Sequence, residues 1–198
     1  MTMDLDAQDA PPRSDLELVV LLDDDGRPCG TALKADVHTR TTPLHLAFSC
    51  WVVDPAGRVL LTRRAESKRT WPGIWTNAFC GHPGPGEPPE AALGRRARQE
   101  LGTRVTGVRV VLPDFRYEAT MADGTRENEV CPVFLAGLAD DHLDPDPDEV
   151  AEWRWTTVDD LVADVAAGAG TYSPWALLQL GQLIDAGCLA RPGSAPLS

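Results

Sequence analysis

Cys80-Gly81-His82 places a thiol and an imidazole two residues apart, on the same side of the chain wherever that segment is extended. Such a pair can bind a metal ion, move protons, or do both. A second pair with the same periodicity lies downstream: Glu127 and Glu129 alternate in a strand-like run, so both carboxylates face one side. Arg96 and Glu100 are four apart in a helical stretch and share one face of it. Taken alone, that last pair is an ordinary charged helix face, worth roughly a few tenths of a kcal/mol.

These groups need elements to hold them. Leu16 to Leu22 is an apolar run of strand type, ended by the turn signal Asp23-Asp24-Asp25-Gly26. Leu46 to Val53 is rich in β-formers and stops at Asp54-Pro55-Ala56-Gly57; Val59 to Thr62 then resumes, which predicts a hairpin. A loop with Pro72 and Gly73 follows. Glu87 to Leu101 is predicted as a helix, with Pro88 and Pro89 in its first turn and Gly102 at its C-terminal stop. Val105 to Phe115 and Val130 to Leu138 are predicted strands, with a turn at Ala122-Asp123-Gly124 between them. Asp140 to Asp148 reads as an acidic, Pro-broken, solvated loop. Val150 to Trp155 alternates as a strand, and Val158 to Ala167 and Pro174 to Leu189 carry helical spacing. Strand clusters with helices between them imply an α/β (α+β) sandwich. A chain of 198 residues fits a single domain over residues 15–190, between a loose tail at Met1 to Ser14 and another at Arg191 to Ser198.

Composition narrows the partners. With 18 basic against 30 acidic residues the net charge is −12, the wrong balance for a nucleic-acid surface. A small anion remains compatible if Lys and Arg cluster locally. No apolar run approaches the ~20 residues of a membrane helix, and Met1 to Ser14 has no apolar signal-peptide core. Five cysteines without a CxxC pair are expected as reduced thiols in a cytoplasm. Two tempting motifs fail. Asp144, Asp146 and Asp148 are interleaved with Pro145 and Pro147 and lack the glycine of a calcium loop. Gly81, Gly84 and Gly86 have the wrong spacing for a dinucleotide fingerprint. His142 is assigned to solvent, and Cys29, Cys50, Cys131 and Cys188 to small buried filler.

The spacing of Gly81, Glu87, Arg95, Glu100 and Gly102 resembles the Nudix box, a loop-helix-loop that holds divalent metal against a diphosphate. Arg96 and Gln99 stand where that box has glutamates. Their presence removes metal ligands and adds a cation. One carboxylate with one guanidinium can bind a diphosphate and a single Mg²⁺, but is poorly built to hydrolyse it. Around the box lie Leu44 to Ser49, Thr62 to Lys68, Trp71 to Asn77, Cys80 to His82, Arg116-Tyr117, Glu127 to Val133 and Tyr172 to Trp175. Together they resemble the type 1 isopentenyl-diphosphate isomerases, a Nudix-fold family, over about Leu18 to Leu180. The resemblance implies a Nudix-type mixed β-sheet sandwiched between helices, with an extra N-terminal strand and C-terminal helices. A long acidic N-terminal tail departs from the pattern.

The same resemblance implies that His38, His45, His82, Glu127 and Glu129 bind one metal ion. Three imidazoles and two carboxylates suit Zn²⁺, Mn²⁺ or Mg²⁺. It assigns Lys34, Arg64, Lys68 and Arg96 to the substrate diphosphate, and Glu100 with the Cys80 backbone carbonyl to a bridging Mg²⁺. Four converging cations would let an acidic chain hold a polyanion. The implied reaction is the reversible isomerisation of isopentenyl diphosphate to dimethylallyl diphosphate, a step of isoprenoid precursor biosynthesis. An alkene carbon is protonated, and the tertiary carbocation loses a proton from another carbon. Cys80 and Glu129 are the expected proton carriers, Tyr117 assists Glu129, and Trp175 is the expected cation stabiliser. The preferred order has Glu129 delivering the proton and Cys80 removing one, with the direction left open by sequence. His82 thus goes to the metal while the Cys80 thiol stays off it. Trp51, Trp71, Trp75, Trp153 and Trp155 are expected in the core. The implied enzyme acts on a small molecule in the cytoplasm as a monomer, with a homodimer as the alternative. One rival is a Nudix diphosphate hydrolase, against which Arg96 and Gln99 speak; another is a non-catalytic, metal-stabilised binding domain.

Overall fold

The computed structural model describes residues 17–139 and 142–189. The expected tails at Met1 to Ser14 and Arg191 to Ser198 lie outside the described residues. The chain opens with β1 (Leu18–Leu22), β2 (Pro28–Leu33), the single turn α1 (Lys34–Val37), β3 (His45–Leu46), β4 (Phe48–Val52) and β5 (Val59–Arg64). It continues through β6 (Trp75–Thr76), β7 (Phe79–Gly81), α2 (Pro89–Leu101), β8 (Val105–Leu112), β9 (Arg116–Thr120) and β10 (Arg126–Val130). Last come β11 (Val133–Leu138), β12 (Val150–Thr156), α3 (Val158–Ala166) and α4 (Pro174–Asp185).

Among the described residues the strands form three sheets, ordered β2-β1-β3-β10-β9, β7-β4-β11-β8 and β12-β5-β6. Two pairings, β10 with β3 and β11 with β4, are parallel, so the sheets are mixed. Every residue of β4 is buried, four of them apolar and one, Ser49, polar. Its alternate side chains serve two cores. Phe48, Cys50 and Val52 pack with Ala92, Leu93, Ala97 and Leu101 of α2. Trp51 packs with Leu161 of α3 and Leu180 and Leu183 of α4. The sheets therefore lie between helices, the α+β arrangement expected, and β1 gains β2 as an antiparallel partner.

Several local expectations change. The hairpin over Leu46 to Thr62 does not form as a ladder. Its turn is real: Asp54 Oδ1 accepts the amides of Ala56 and Arg58. Beyond the bridge Val53–Val59, however, β4 pairs with β7 and β11 while β5 pairs with β12 and β6. Longer ladders outcompete the local one. Phe115 falls outside β8, and β9 with β10 forms the hairpin around Gly124. Pro132 interrupts the predicted strand Val130 to Leu138, because it has no N–H for a ladder. Cys29 is exposed rather than buried, because β2 is the outermost strand of its sheet. Trp153 is 43% exposed, out of the core on the outer strand β12.

The described part of the acidic loop does structural work that sequence missed. The amides of Asp144 and Asp146 donate to the Leu101 and Glu100 carbonyls, at 3.0 and 3.1 Å. They satisfy helix-end acceptors that would otherwise lack partners. Gly102 closes α2 at φ +64, and a Cβ there would lie 2.3 Å from the Asp144 carbonyl oxygen. Only glycine fits that turn against that loop. The loop then delivers Glu149 to Arg96.

Candidate active site

Alternation on β9 and β10 builds one wall. Tyr117 and Ala119 are buried on β9, Glu127 and Glu129 on β10, and Glu129 stands directly opposite Tyr117. The Tyr117 hydroxyl donates diagonally to Glu127 Oε2 at 2.5 Å. On the other side of β10, the two-residue β3 pairs in parallel and sets His45 against Glu129. His45 is fully buried, and its Nδ1 donates to the Pro43 carbonyl at 2.9 Å. That bond fixes the tautomer and leaves Nε2 free as a lone-pair donor.

The three imidazoles meet on one oxygen. Glu129 Oε1 lies 3.1 Å from His82 Nε2, 3.3 Å from His45 Nε2 and 4.0 Å from His38 Nε2. Candidate ligand atoms of His38, His45, His82 and Glu129 all fall within 4.8 Å of one another. His38 Nε2, His45 Nε2 and His82 Nδ1 are buried without a hydrogen-bond partner. Orphaned buried nitrogens around a carboxylate are costly unless something binds them. The donor set fits a divalent ion. Glu127 sits beside this group, with its carboxylate engaged by Tyr117.

Burial alone would raise the Glu129 carboxyl, but the facing imidazoles of His38, His45 and His82 outweigh it and hold the group well below the usual range. Burial and the neighbouring Glu129 charge push Glu127 up. Burial draws His82 down to about 4 against the pull of Glu129.

Cys80 is on β7 directly opposite Ser49 of β4, and their Sγ and Oγ are 3.0 Å apart. Asn77 reaches the same sulfur at 3.5 Å. Burial pushes the thiol up to about 12, against the opposing hydrogen bonds of Ser49 and Asn77. Burial thus favours the protonated thiol, and the surrounding imidazoles favour an ionised Glu129. Ser49 and Asn77 lie within the family-like segments, which by themselves assign them no role. Their signal was position: one faces Cys80 across a ladder, the other precedes it by three residues.

Trp175 enters from the start of α4. Ser173 caps that helix, accepting the Ala176 amide, and bonds Thr76 across the fold at 2.9 Å. The buried indole lies 5.7 Å from the Tyr117 ring and 5.5 Å from Trp71. The Arg64 guanidinium stands 5.8 Å over it. Arg64 also donates to the Thr70 and Trp71 carbonyls, clamping a turn in which Trp71 has φ +44.

The box residues divide into scaffold and site. Glu87 accepts Arg95 and the Gly84 amide, so this pair holds the loop. Gly81 gives α2 its close approach: a Cβ there would lie 2.8 Å from Arg96 Cγ. Arg96 is buried rather than the surface residue of an ordinary helix face, and it pairs with Glu100 at 2.7 Å and Glu149 at 3.1 Å. Those two carboxylates raise its pKa despite burial. Every residue expected to serve in catalysis, metal binding or diphosphate binding, except His45, lines one cavity of about 320 Å³. His45 stands fully buried behind its wall. His142 is exposed and is not among the residues lining this cavity. Glu17 and Glu149, which reach the same cations, were not anticipated; neither lies in a motif, and only tertiary contacts reveal them.

A NUDIX domain model matches residues 43–176. An isopentenyl-diphosphate Delta-isomerase of Kocuria rhizophila is 58% identical over 159 residues, covering 80% of this chain and 88% of the relative. The protein of that name from Mycolicibacterium vanbaalenii is 57% identical over 176 residues, covering 89% and 96%. Among solved structures, a Deinococcus radiodurans protein superposes with TM-score 0.64 at 20% identity, covering 88% of this chain and all of that one. A MutT NUDIX hydrolase from Burkholderia pseudomallei gives TM-score 0.56 at 23% identity, covering 71% and 98%; these two likenesses speak for the fold. Among the described residues no helix is long and apolar enough to cross a membrane. The chain belongs to the NUDIX family and, within it, to the isopentenyl-diphosphate Delta-isomerases.

Proposed function

We propose that this cavity isomerises isopentenyl diphosphate to dimethylallyl diphosphate, and that Cys80, Glu129, Tyr117 and Trp175 carry the chemistry. The observation behind this reading is the sharing of one cavity: two proton carriers and an indole lie beside four cations, one of them Arg96 on a Nudix helix that has two fewer carboxylates than the box pattern. Lys34, Arg64, Lys68 and Arg96 grip the diphosphate, and Glu100 with the Cys80 carbonyl receives the Mg²⁺ that accompanies it. His38, His45, His82 and Glu129 hold a divalent ion, with Glu127 as a fifth ligand; Zn²⁺, Mn²⁺ and Mg²⁺ are the candidates. Such an ion would fix the Glu129 carboxylate and stabilise its negative charge.

The reaction balances in two proton transfers. One carrier protonates the terminal alkene carbon; the π electrons form the new C–H bond and leave a tertiary carbocation. The other takes a proton from the adjacent methylene, and that C–H pair becomes the new double bond. Because the reaction is reversible, each carrier gives in one direction and takes in the other. The Tyr117 hydroxyl holds Glu127 beside the working carboxylate. The Trp175 face stabilises the cation and, with Tyr117 and Trp71, keeps water from it. The diphosphate stays intact because the box lacks the clustered carboxylates that activate water. The enzyme serves isoprenoid precursor supply in the cytoplasm, as a monomer.

Turnover assays on wild type, Cys80→Ala and Glu129→Gln test this directly. Wild type forms dimethylallyl diphosphate without phosphate, and each variant loses at least about a thousandfold in kcat. A variant retaining wild-type kcat would remove that residue from the mechanism.

A further inference from the structure

The cations of this cavity are already engaged by the protein. Lys34 Nζ donates to Glu17 at 2.5 Å. Lys68 Nζ donates to Glu149, which also accepts Arg96 Nη2 at 3.1 Å. Glu17 Oε1 lies 3.5 Å from Arg95 and 4.0 Å from Arg96. Glu100 belongs to the box, but Glu17 and Glu149 have no part in the chemistry above. They enter from separate elements, Glu17 just before β1 and Glu149 just before β12.

The charges decide what this arrangement favours. Apart from Arg69, which lines the cavity but is exposed to solvent, Lys34, Arg64, Lys68 and Arg96 against Glu17, Glu100 and Glu149 leave a single positive charge. A prenyl diphosphate brings close to three negative charges near neutral pH. These side chains are mostly shielded: 27% exposed at Lys34, 21% at Lys68, 19% at Glu149 and 23% at Glu17. Mismatched charge is therefore poorly screened by solvent. A divalent cation arriving with the diphosphate makes up the difference. Each lysine still has two N–H groups beyond its carboxylate bond, so it can hold phosphate oxygens without releasing Glu17 or Glu149.

We infer that Glu17 and Glu149 are specificity-determining carboxylates that set the cavity to accept a diphosphate carrying its divalent cation and to reject bare diphosphate. This rests on the reading of the cavity as a diphosphate site.

The test is calorimetric titration of the full chain with inorganic diphosphate, with and without added Mg²⁺. Wild type binds at least about tenfold tighter with Mg²⁺. Glu149→Gln and Glu17→Gln each tighten Mg²⁺-free binding by about tenfold and narrow the gain from Mg²⁺. Glu17 is only half-buried, just before β1, so its variant carries the test if Glu149→Gln does not fold. Lys68→Met separates the two claims. If it weakens diphosphate binding while neither Gln variant tightens it, the gating role is overturned and the diphosphate site stands. If Lys68→Met leaves diphosphate binding unchanged, the site reading falls and the gating role falls with it.

Discussion

Arg96→Met should be among the most destabilising single changes in this protein. Arg96 is 5% exposed and neutralises Glu100, itself 7% exposed. Methionine keeps the aliphatic contact under Gly81 and Phe48 but leaves the Glu100 carboxylate without a cation. Glu149 keeps Lys68, so the damage is concentrated on Glu100. Breaking a buried ion pair from one side costs about 3–5 kcal/mol. For a chain of this length each kcal/mol moves the melting temperature by about 2–4 °C, so a fall of about 6–20 °C is expected. Scanning calorimetry and urea melts at neutral pH measure it. Arg96→Met/Glu100→Met removes both ends of the pair and should recover at least about half of the loss. A cost below about 1 kcal/mol, or a double variant no more stable than the single, would refute the claim that this pair is shielded from water.

Three further outcomes are expected. Stripping metal with a chelator should lower the melting temperature, and Zn²⁺ or Mn²⁺ should restore it at one ion per chain by elemental analysis; His82→Ala should abolish that response. Glu149 titrates at about 2 in the fold against an ordinary 4.5, because Arg96 and Lys68 overcome the effect of its burial. Its folded pKa is depressed, so its contribution is complete above about 4.5 and is lost as pH falls toward about 2; urea midpoints across that range should fall steeply in wild type and more gently in Glu149→Gln. Trp175→Leu should lower kcat about thirtyfold, the equivalent of ~2 kcal/mol of cation–π stabilisation, with KM within about threefold; an unchanged kcat would remove the indole from the mechanism.

What could be read locally was read well, and what depended on distant pairing was not. Strand periodicity alone puts Glu127 and Glu129 on one face; the helix predicted over Glu87 to Leu101 starts two residues later, at Pro89, and ends as expected at Gly102, because the backbone preferences of proline and glycine are intrinsic. The His38–His45 side of the cluster had no such signal. It hangs from a four-residue helix and a two-residue strand, elements too short for a periodic pattern, fixed only because β3 pairs with β10. The hairpin error has the same origin: the Asp54 turn is encoded locally, while the partners of β4 and β5 are chosen by the whole sheet. Glu149 follows the loop of Asp144 and Asp146, whose composition predicts a solvated segment; its backbone amides, which composition does not describe, dock it onto α2.

The central claim is that the cavity moves protons on a hydrocarbon while leaving its diphosphate whole. Incubating the full chain with isopentenyl diphosphate and Mg²⁺ in D₂O, followed by NMR, reads both halves at once. The account predicts dimethylallyl diphosphate carrying deuterium at the new methyl group and no release of inorganic phosphate. Phosphate released without a deuterated isomer, or substrate recovered unlabelled from fully metal-loaded protein, would contradict it.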